Sequence, residues 1–246
     1  MSKQEAGNEL AALGTEIRER LTALEGALTK ELGDGLVSIV VYGSAARGGY
    51  RAGQSDVDLV LVVREASRET LLAIANVMQV ARYAARIEAM ILVEGEIAAS
   101  TDAFPVLYDD IRRNHIVVRG ADPFADLVIS DRHRRLRVEQ ELREARIRLR
   151  RAVVDGLGRK EALAGAVIRK AKQIRSPLYA LFQLRGVACE DRTHVLLEKA
   201  GELYGVDTSM ILKATEAPEK AHDALVKLLD AAIAEVDGMD GRMEGP

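Results

Sequence analysis

Two aspartates, Asp56 and Asp58, stand in the run SDVDLVLVV, where a strand built for packing alone would carry valine or isoleucine. Side chains alternate across a strand, so the two carboxylates project from one face and Val57 and Leu59 from the other. Carboxylates this close repel, and each titrates high unless a cation lies between them. A divalent metal removes that penalty. Hard oxygen ligands on a rigid strand suit Mg²⁺, which takes one or two carboxylates and completes its shell with water and substrate phosphates.

The preceding stretch, VVYGSAARGGYRAGQ, has the chemistry of a phosphate site. Gly43 lets the backbone turn sharply and approach a ligand. Ser44 can cap a short helix through Ala45 to Arg47, and the free N–H groups at a helix start favour an anion. Arg47 and Arg51 flank this turn and can meet phosphate, although Arg51 suits a solvated loop equally well. No Gly-Lys-Ser/Thr follows, so this is not a Walker loop, and the glycine spacing differs from the dinucleotide fingerprint.

The elements that must position these groups follow from periodicity. Leu10, Leu13, Ile17, Leu21, Leu24, Leu28 and Leu32 recur at three- and four-residue steps, which predicts an amphipathic helix stopped by Gly33–Gly35. Strands are expected at Leu36–Tyr42 and Val57–Val63, a helix at Thr70–Ala84, a third strand over Arg86–Ile97, and a short strand and turn at His115–Phe124. From about Asp131 the texture becomes charged and helical, with Leu136, Leu142, Ile147 and Val154 among the apolar positions of the first long helix. Helices are then expected at Lys160–Arg175, Pro177–Leu184, Thr193–Tyr204 and Ala217–Val236, before a frayed tail. The expected fold class is an α/β (α+β) domain with a small mixed sheet over residues 1–128, followed by an all-α helical bundle over 129–246.

Composition narrows the function classes. The 246 residues are 48% hydrophobic with a formal charge of −3 and no tryptophan. A wholly basic nucleic-acid coat and base stacking on aromatics are therefore poor fits. One cysteine, Cys189, excludes an internal disulfide and suits a reducing compartment. The first residues are unlike a signal peptide, and no apolar run approaches membrane-spanning length, so a cytoplasmic, membrane-free protein is expected. The four histidines, His115, His133, His194 and His222, lack metal-ligand spacing. Nothing supports a Ser-His-Asp hydrolase.

Gly43-Ser44-x-x-Arg47-Gly48 followed by Ser55-Asp56-Val57-Asp58-Leu59 resembles the signature of the DNA polymerase β-like nucleotidyltransferase superfamily, closest to its minimal and aminoglycoside-type members. The resemblance implies that ATP or another NTP binds with one or two Mg²⁺ ions, that an acceptor attacks the α-phosphate, and that pyrophosphate leaves. Asp56 and Asp58 would be metal ligands, with Gly43, Ser44 and Arg47 on the phosphates. The family usually needs a third carboxylate on a neighbouring strand, as metal ligand or as base. Glu88 in RIEAMILVEG matches best. Glu94 and Glu96 share its parity and remain rivals, as do Asp102, Asp109 and Asp110, although the Asp109-Asp110 pair reads as structural. Lys170 and Lys172 stand where related enzymes often take a triphosphate-binding lysine.

The helical half resembles the helical domain of aminoglycoside-type transferases, a relative of HEPN bundles. Arg185, Arg192 and His194 lack the spacing of HEPN ribonucleases, so a substrate-binding or pairing module is expected, with a homodimer through it possible. The implied partners are an NTP and an acceptor that is a small hydroxylated molecule, a protein or a tRNA end. One competing reading is a non-catalytic, antitoxin-like nucleotide binder acting through its helices. Another is nucleic-acid binding by the arginines between Arg132 and Arg151, many of which can instead pair with acids four residues away, as in Glu139–Arg143 and Glu144–Arg148.

Overall fold

The structure, a computed structural model, describes residues 13–50 and 55–239. Leu10, Arg51 and the tail beyond residue 239 lie outside the described residues. The chain divides into two compact units. The first takes the chain up to Thr101 together with Tyr108–Val128, and the second takes Asp102–Leu107 and the chain from Ile129 onward. The fold class is the expected one, a small mixed sheet with helices and a helical carboxy-terminal part.

In the first unit, α1 (Thr15–Leu32) buries Ile17, Leu21, Leu24 and Leu28, the stripe that the three-four spacing predicts. A turn of 3₁₀ helix at Gly33–Gly35 ends it. There follow β1 (Leu36–Tyr42), α2 (Gly43–Ala46), β2 (Val57–Val63), α3 (Arg68–Ala85), β3 (Ile87–Val93), α4 (Glu94–Ala99), α5 (Pro105–Arg113) and β4 (Ile116–Arg119). The strands lie in the order β3-β2-β1-β4. β1 pairs antiparallel with β2 and β4, whereas β2 and β3 are parallel, joined through α3.

Alternation along β2 sorts its side chains by face. Val57, Leu59, Leu61 and Val63 enter one core with Ile39 and Val41 of β1, the apolar stripe of α1, and Ile74 and Ala81 of α3. Each large aliphatic side chain so buried contributes about 1.5–3 kcal/mol. Asp58 has the opposite parity, shared with Val60 and Val62, so the helix-covered core holds the strand while its other face carries the acid.

Two expectations change here. The third strand does not run to Ile97. It ends at Val93, and Glu94–Ala99 is a helix. The Glu96 carboxylate accepts the Val93 N–H at 3.0 Å, which closes the first helical turn and stops the strand. The strand expected within His115–Phe124 shrinks to Ile116–Arg119, ended by Gly120 at φ 81, where a Cβ would come within 2.1 Å of the Val37 carbonyl oxygen. α3 starts at Arg68, two residues before the expected Thr70, because Ser67 caps it by accepting the Thr70 N–H at 3.2 Å.

The second unit comprises α6 (Asp131–Gly156), α7 (Lys160–Gln173), α8 (Arg175–Leu184), α9 (Thr193–Tyr204), α10 (Ser209–Leu212) and α11 (Pro218–Asp237). Its core joins Val138, Leu142, Ala145 and Leu149 of α6 to Val167, Phe182, Leu197, Leu225 and Leu229. Of the four apolar positions anticipated on α6, only Leu142 is buried. Leu136, Ile147 and Val154 are exposed, because the buried seam runs through Val138, Leu142, Ala145 and Leu149 instead. The arginines of α6 are largely tied to acids of their own unit: Arg143 to Glu139 and Asp237, Arg146 to Asp230, Arg148 to Glu144, Arg137 to Glu141.

Candidate active site

The site is built around the carboxyl end of β1 and the start of β2. Tyr42, the last residue of β1, faces Asp58 in the antiparallel register. Gly43 follows at φ 72, and a Cβ built there would come within 2.2 Å of Asp58 Oδ2. Glycine is thus required twice, by its left-handed backbone and by the space that the carboxylate occupies. The turn winds on as α2, with the Arg47 N–H on the Gly43 carbonyl at 3.3 Å and the Gly49 N–H on the Ser44 carbonyl at 2.9 Å. Ser44 does not cap this helix. The turn starts one residue earlier, with Tyr42 as its cap residue and no side-chain capping bond.

On the other side of β2, the parallel register sets Glu88 of β3 directly opposite Asp58. Asp58 and Glu88 thus share a position on neighbouring strands, and Asp56, one residue before β2, makes its charge felt at Asp58. Burial raises the Asp58 carboxyl above the ordinary carboxylate range, and the charge of Asp56 adds to the rise. Arg47 opposes it, and Glu88 adds a little more. The Tyr42 phenol is pushed up to about 12 by burial, with the charges of Asp58 and Asp110 contributing. It is therefore neutral at physiological pH.

The two outer carboxylates have cationic neighbours. Arg86 Nε lies 2.8 Å from Asp56 Oδ1, and Arg82 Nε lies 2.9 Å from Glu88 Oε1. Both arginines come from the end of α3, where Arg86 is the C-cap in a left-handed conformation at φ 53. Arg47 Nη1 reaches Asp110 Oδ2 of α5 at 3.2 Å, so this arginine, expected on phosphate, also holds a carboxylate. The sequence points to a structural role for Asp110 and gives no signal for Tyr42, Arg82 or Arg86. Arg47 and Asp110 are 63 positions apart, and no spacing rule joins them.

The remaining candidates lie elsewhere. Glu94 and Glu96 are in α4 rather than on the strand face of Glu88, since the helix abolishes the shared parity. Asp109 is buried and tied to Arg112 and Arg113 within α5, and Asp102 is exposed. Lys170 and Lys172 end α7 in the helical unit. Lys170 donates to Gln173 Oε1 at 2.6 Å, and burial, with Arg148 nearby, lowers its pKa. His115 bridges the Ile111 carbonyl and Asp122, which is a packing role. An apolar hollow of about 340 Å³ between α1 and α3, lined by Ala23, Leu24, Val77 and Ala81, adjoins the Ile87 side of β3 and carries no acid.

Among the described residues no three His, Cys, Asp or Glu side chains form a ready-made metal cage. A Mg²⁺ site of the open kind would ask less of the protein than such a cage. Burial first and the charge of Asp56 second hold Asp58 at raised pKa, a cation would relieve the charge repulsion, and Mg²⁺ needs few protein ligands when phosphates complete its shell.

The family model for the nucleotidyltransferase domain matches residues 23–120. That segment runs from the middle of α1 through β4 and contains every residue of the cluster described above. No curated protein matches the chain. Among solved structures, the chain is similar to the spectinomycin adenyltransferase AAD(9) from Enterococcus faecialis, determined with ATP and spectinomycin. The identity is 13% and the TM-score 0.58, over 87% of this chain and 98% of that one. At that identity the likeness speaks for the fold. Residues 23–120, with their glycine-serine turn and Asp-x-Asp strand, are a nucleotidyltransferase domain of the DNA polymerase β-like superfamily.

Proposed function

We propose that this chain is a Mg²⁺-dependent nucleotidyltransferase that moves a nucleoside monophosphate, AMP from ATP foremost, to an acceptor hydroxyl with release of pyrophosphate. The observation that carries this reading is the register of Asp58 against Glu88, with Gly43 closing on the same carboxylate. The acceptor oxygen bonds to the α-phosphorus as the bond to the oxygen bridging toward the β-phosphate breaks, and pyrophosphate leaves with that electron pair. Glu88 takes the hydroxyl proton. Asp56, Asp58 and Glu88 would hold Mg²⁺, which when bound supplies neutralisation of phosphoryl charge. The Gly43-Ser44 turn and Arg47 orient the phosphates, so positioning and electrostatics do most of the catalysis.

Residues 1–128 carry the nucleotide chemistry in this reading, and residues 129–246 form a substrate-binding or pairing module. Because the similar adenyltransferase structure holds spectinomycin beside ATP, a small hydroxylated molecule is the first acceptor to try, ahead of a protein side chain or a tRNA end. The test is label transfer from each NTP with Mg²⁺ to candidate acceptors. Asp58→Asn is expected to lower transfer by at least roughly a hundred-fold. Transfer undiminished by that substitution overturns the mechanism.

A second reading, a nucleotide binder without turnover, draws on the ion pairs Arg86–Asp56 and Arg82–Glu88, which engage two of the three acids. It predicts nucleotide binding that Asp58→Asn leaves intact, with no transfer to any acceptor.

A further inference from the structure

Asp110 is a charged side chain only 8% exposed. A carboxylate so placed is costly unless it is paired, and its partners are specific. Oδ2 accepts from Arg47 at 3.2 Å, and Oδ1 stands 3.6 Å from Arg113 Nη2. Its neighbour Asp109 is the acid tied within α5, to Arg112 and Arg113. Asp110, besides its approach to Arg113, reaches out of the helix to the loop between β1 and β2. Arg47 is itself largely buried there, with its charge felt at Asp58. A solvated loop arginine would need no such anchor. A guanidinium has five donors in a rigid fork, so holding a carboxylate fixes the direction in which its remaining N–H groups are presented.

The geometry points to Asp110 as a positioning residue for nucleotide binding: it fixes the Arg47 guanidinium beside Asp58 at the glycine-serine turn, so that Arg47 meets the triphosphate already oriented. This rests on the proposed nucleotidyltransferase reading and adds to it a residue from outside the turn and the strand acids. Asp110 acts through Arg47 and does not itself touch the nucleotide. Removing it takes away one anchor of the Arg47 guanidinium and loosens its orientation, which weakens binding rather than chemistry.

The experiment is a double-mutant cycle on the full chain. Calorimetry would follow Mg²⁺ with α,β-methylene-ATP binding to the wild type, Arg47→Ala, Asp110→Asn and the double variant. Each single change is expected to weaken binding about tenfold, roughly 1.4 kcal/mol. The double variant is expected to be no weaker than Arg47→Ala alone. In steady-state transfer, Asp110→Asn raises KM for the nucleotide and leaves kcat nearly unchanged. Where Asp110→Asn fails to fold, Asp110→Glu serves: it weakens binding less, and its effect vanishes in the Arg47→Ala background. Wild-type affinity in the folded Asp110 variants, or a further loss on top of Arg47→Ala, overturns the inference while leaving the nucleotidyltransferase reading in place. A wild-type chain that binds no nucleotide overturns that reading, and this inference with it.

Discussion

At the scale of single residues, the site is held in a state that costs stability. A carboxyl whose pKa is raised on folding favours the native state only where it is protonated. For Asp58 the penalty is absent below the ordinary value of 3.8, grows as pH rises through that value, and is complete once the folded group has ionised as well. Asp58→Asn is therefore expected to raise Tm at neutral pH, with the gain fading as melts are run toward pH 4. A variant equally stable at both pH values, or less stable at neutral pH, would contradict this account. Asp56 and Asp58 could be read from the sequence because alternation on a strand needs only local spacing. Asp110 could not, because its partner Arg47 is brought to it by the sheet and α5 together.

At the scale of elements, the end of α3 carries two roles in a few residues. Arg86 ends the helix with a left-handed backbone and turns its guanidinium to Asp56, while its carbonyl accepts the Val57 N–H at 3.0 Å. A non-glycine residue in that conformation costs roughly 1–2 kcal/mol, against about 0.2–1 kcal/mol from an exposed ion pair. Arg86→Gly is expected to be more stable than Arg86→Val by roughly 1–2 kcal/mol in denaturant melts, since only glycine adopts the left-handed cap freely. Equal stabilities would show that the conformation is not strained there. Elements with a strong period were legible: α1, β1 and β2 read directly from their apolar spacing. Elements in which two signals compete were less legible. Glu94 and Glu96 continued the strand parity of Glu88, but a backbone hydrogen bond to Glu96 turned the segment helical. On α6 the arginine-rich sequence obscured which stripe is buried, because Leu136, Ile147 and Val154 are as apolar as the residues that pack.

At the scale of the whole molecule, charge is mostly spent internally. The chain is slightly acidic, and the basic run on α6 is answered by Glu139, Glu144, Asp230 and Asp237 from its own unit. Any binding to RNA or DNA is therefore expected to be weak and to fall less than roughly tenfold between 50 and 200 mM salt, measured by fluorescence anisotropy. A loss of about a thousand-fold would mean that many phosphates are contacted by that face. The mixed sheet and the helical carboxy-terminal part were foreseeable from the change of texture along the chain. The identity of the acceptor was not, since a pocket for it depends on side chains far apart in sequence.

The strand order β3-β2-β1-β4 has a bearing on how the protein is born. Gly43, Arg47, Asp56, Asp58 and Glu88 all fall within one uninterrupted stretch from β1 to β3, with β2 at its centre. During synthesis from the amino terminus, that stretch leaves the ribosome before α5 and before the helical unit, and domains generally fold as units in that order. The acids are thus made before Asp110, and Arg47 can meet its partner only when the last part of the first unit has emerged. In order of synthesis, then, the carboxylates come first and the partner of Arg47 last.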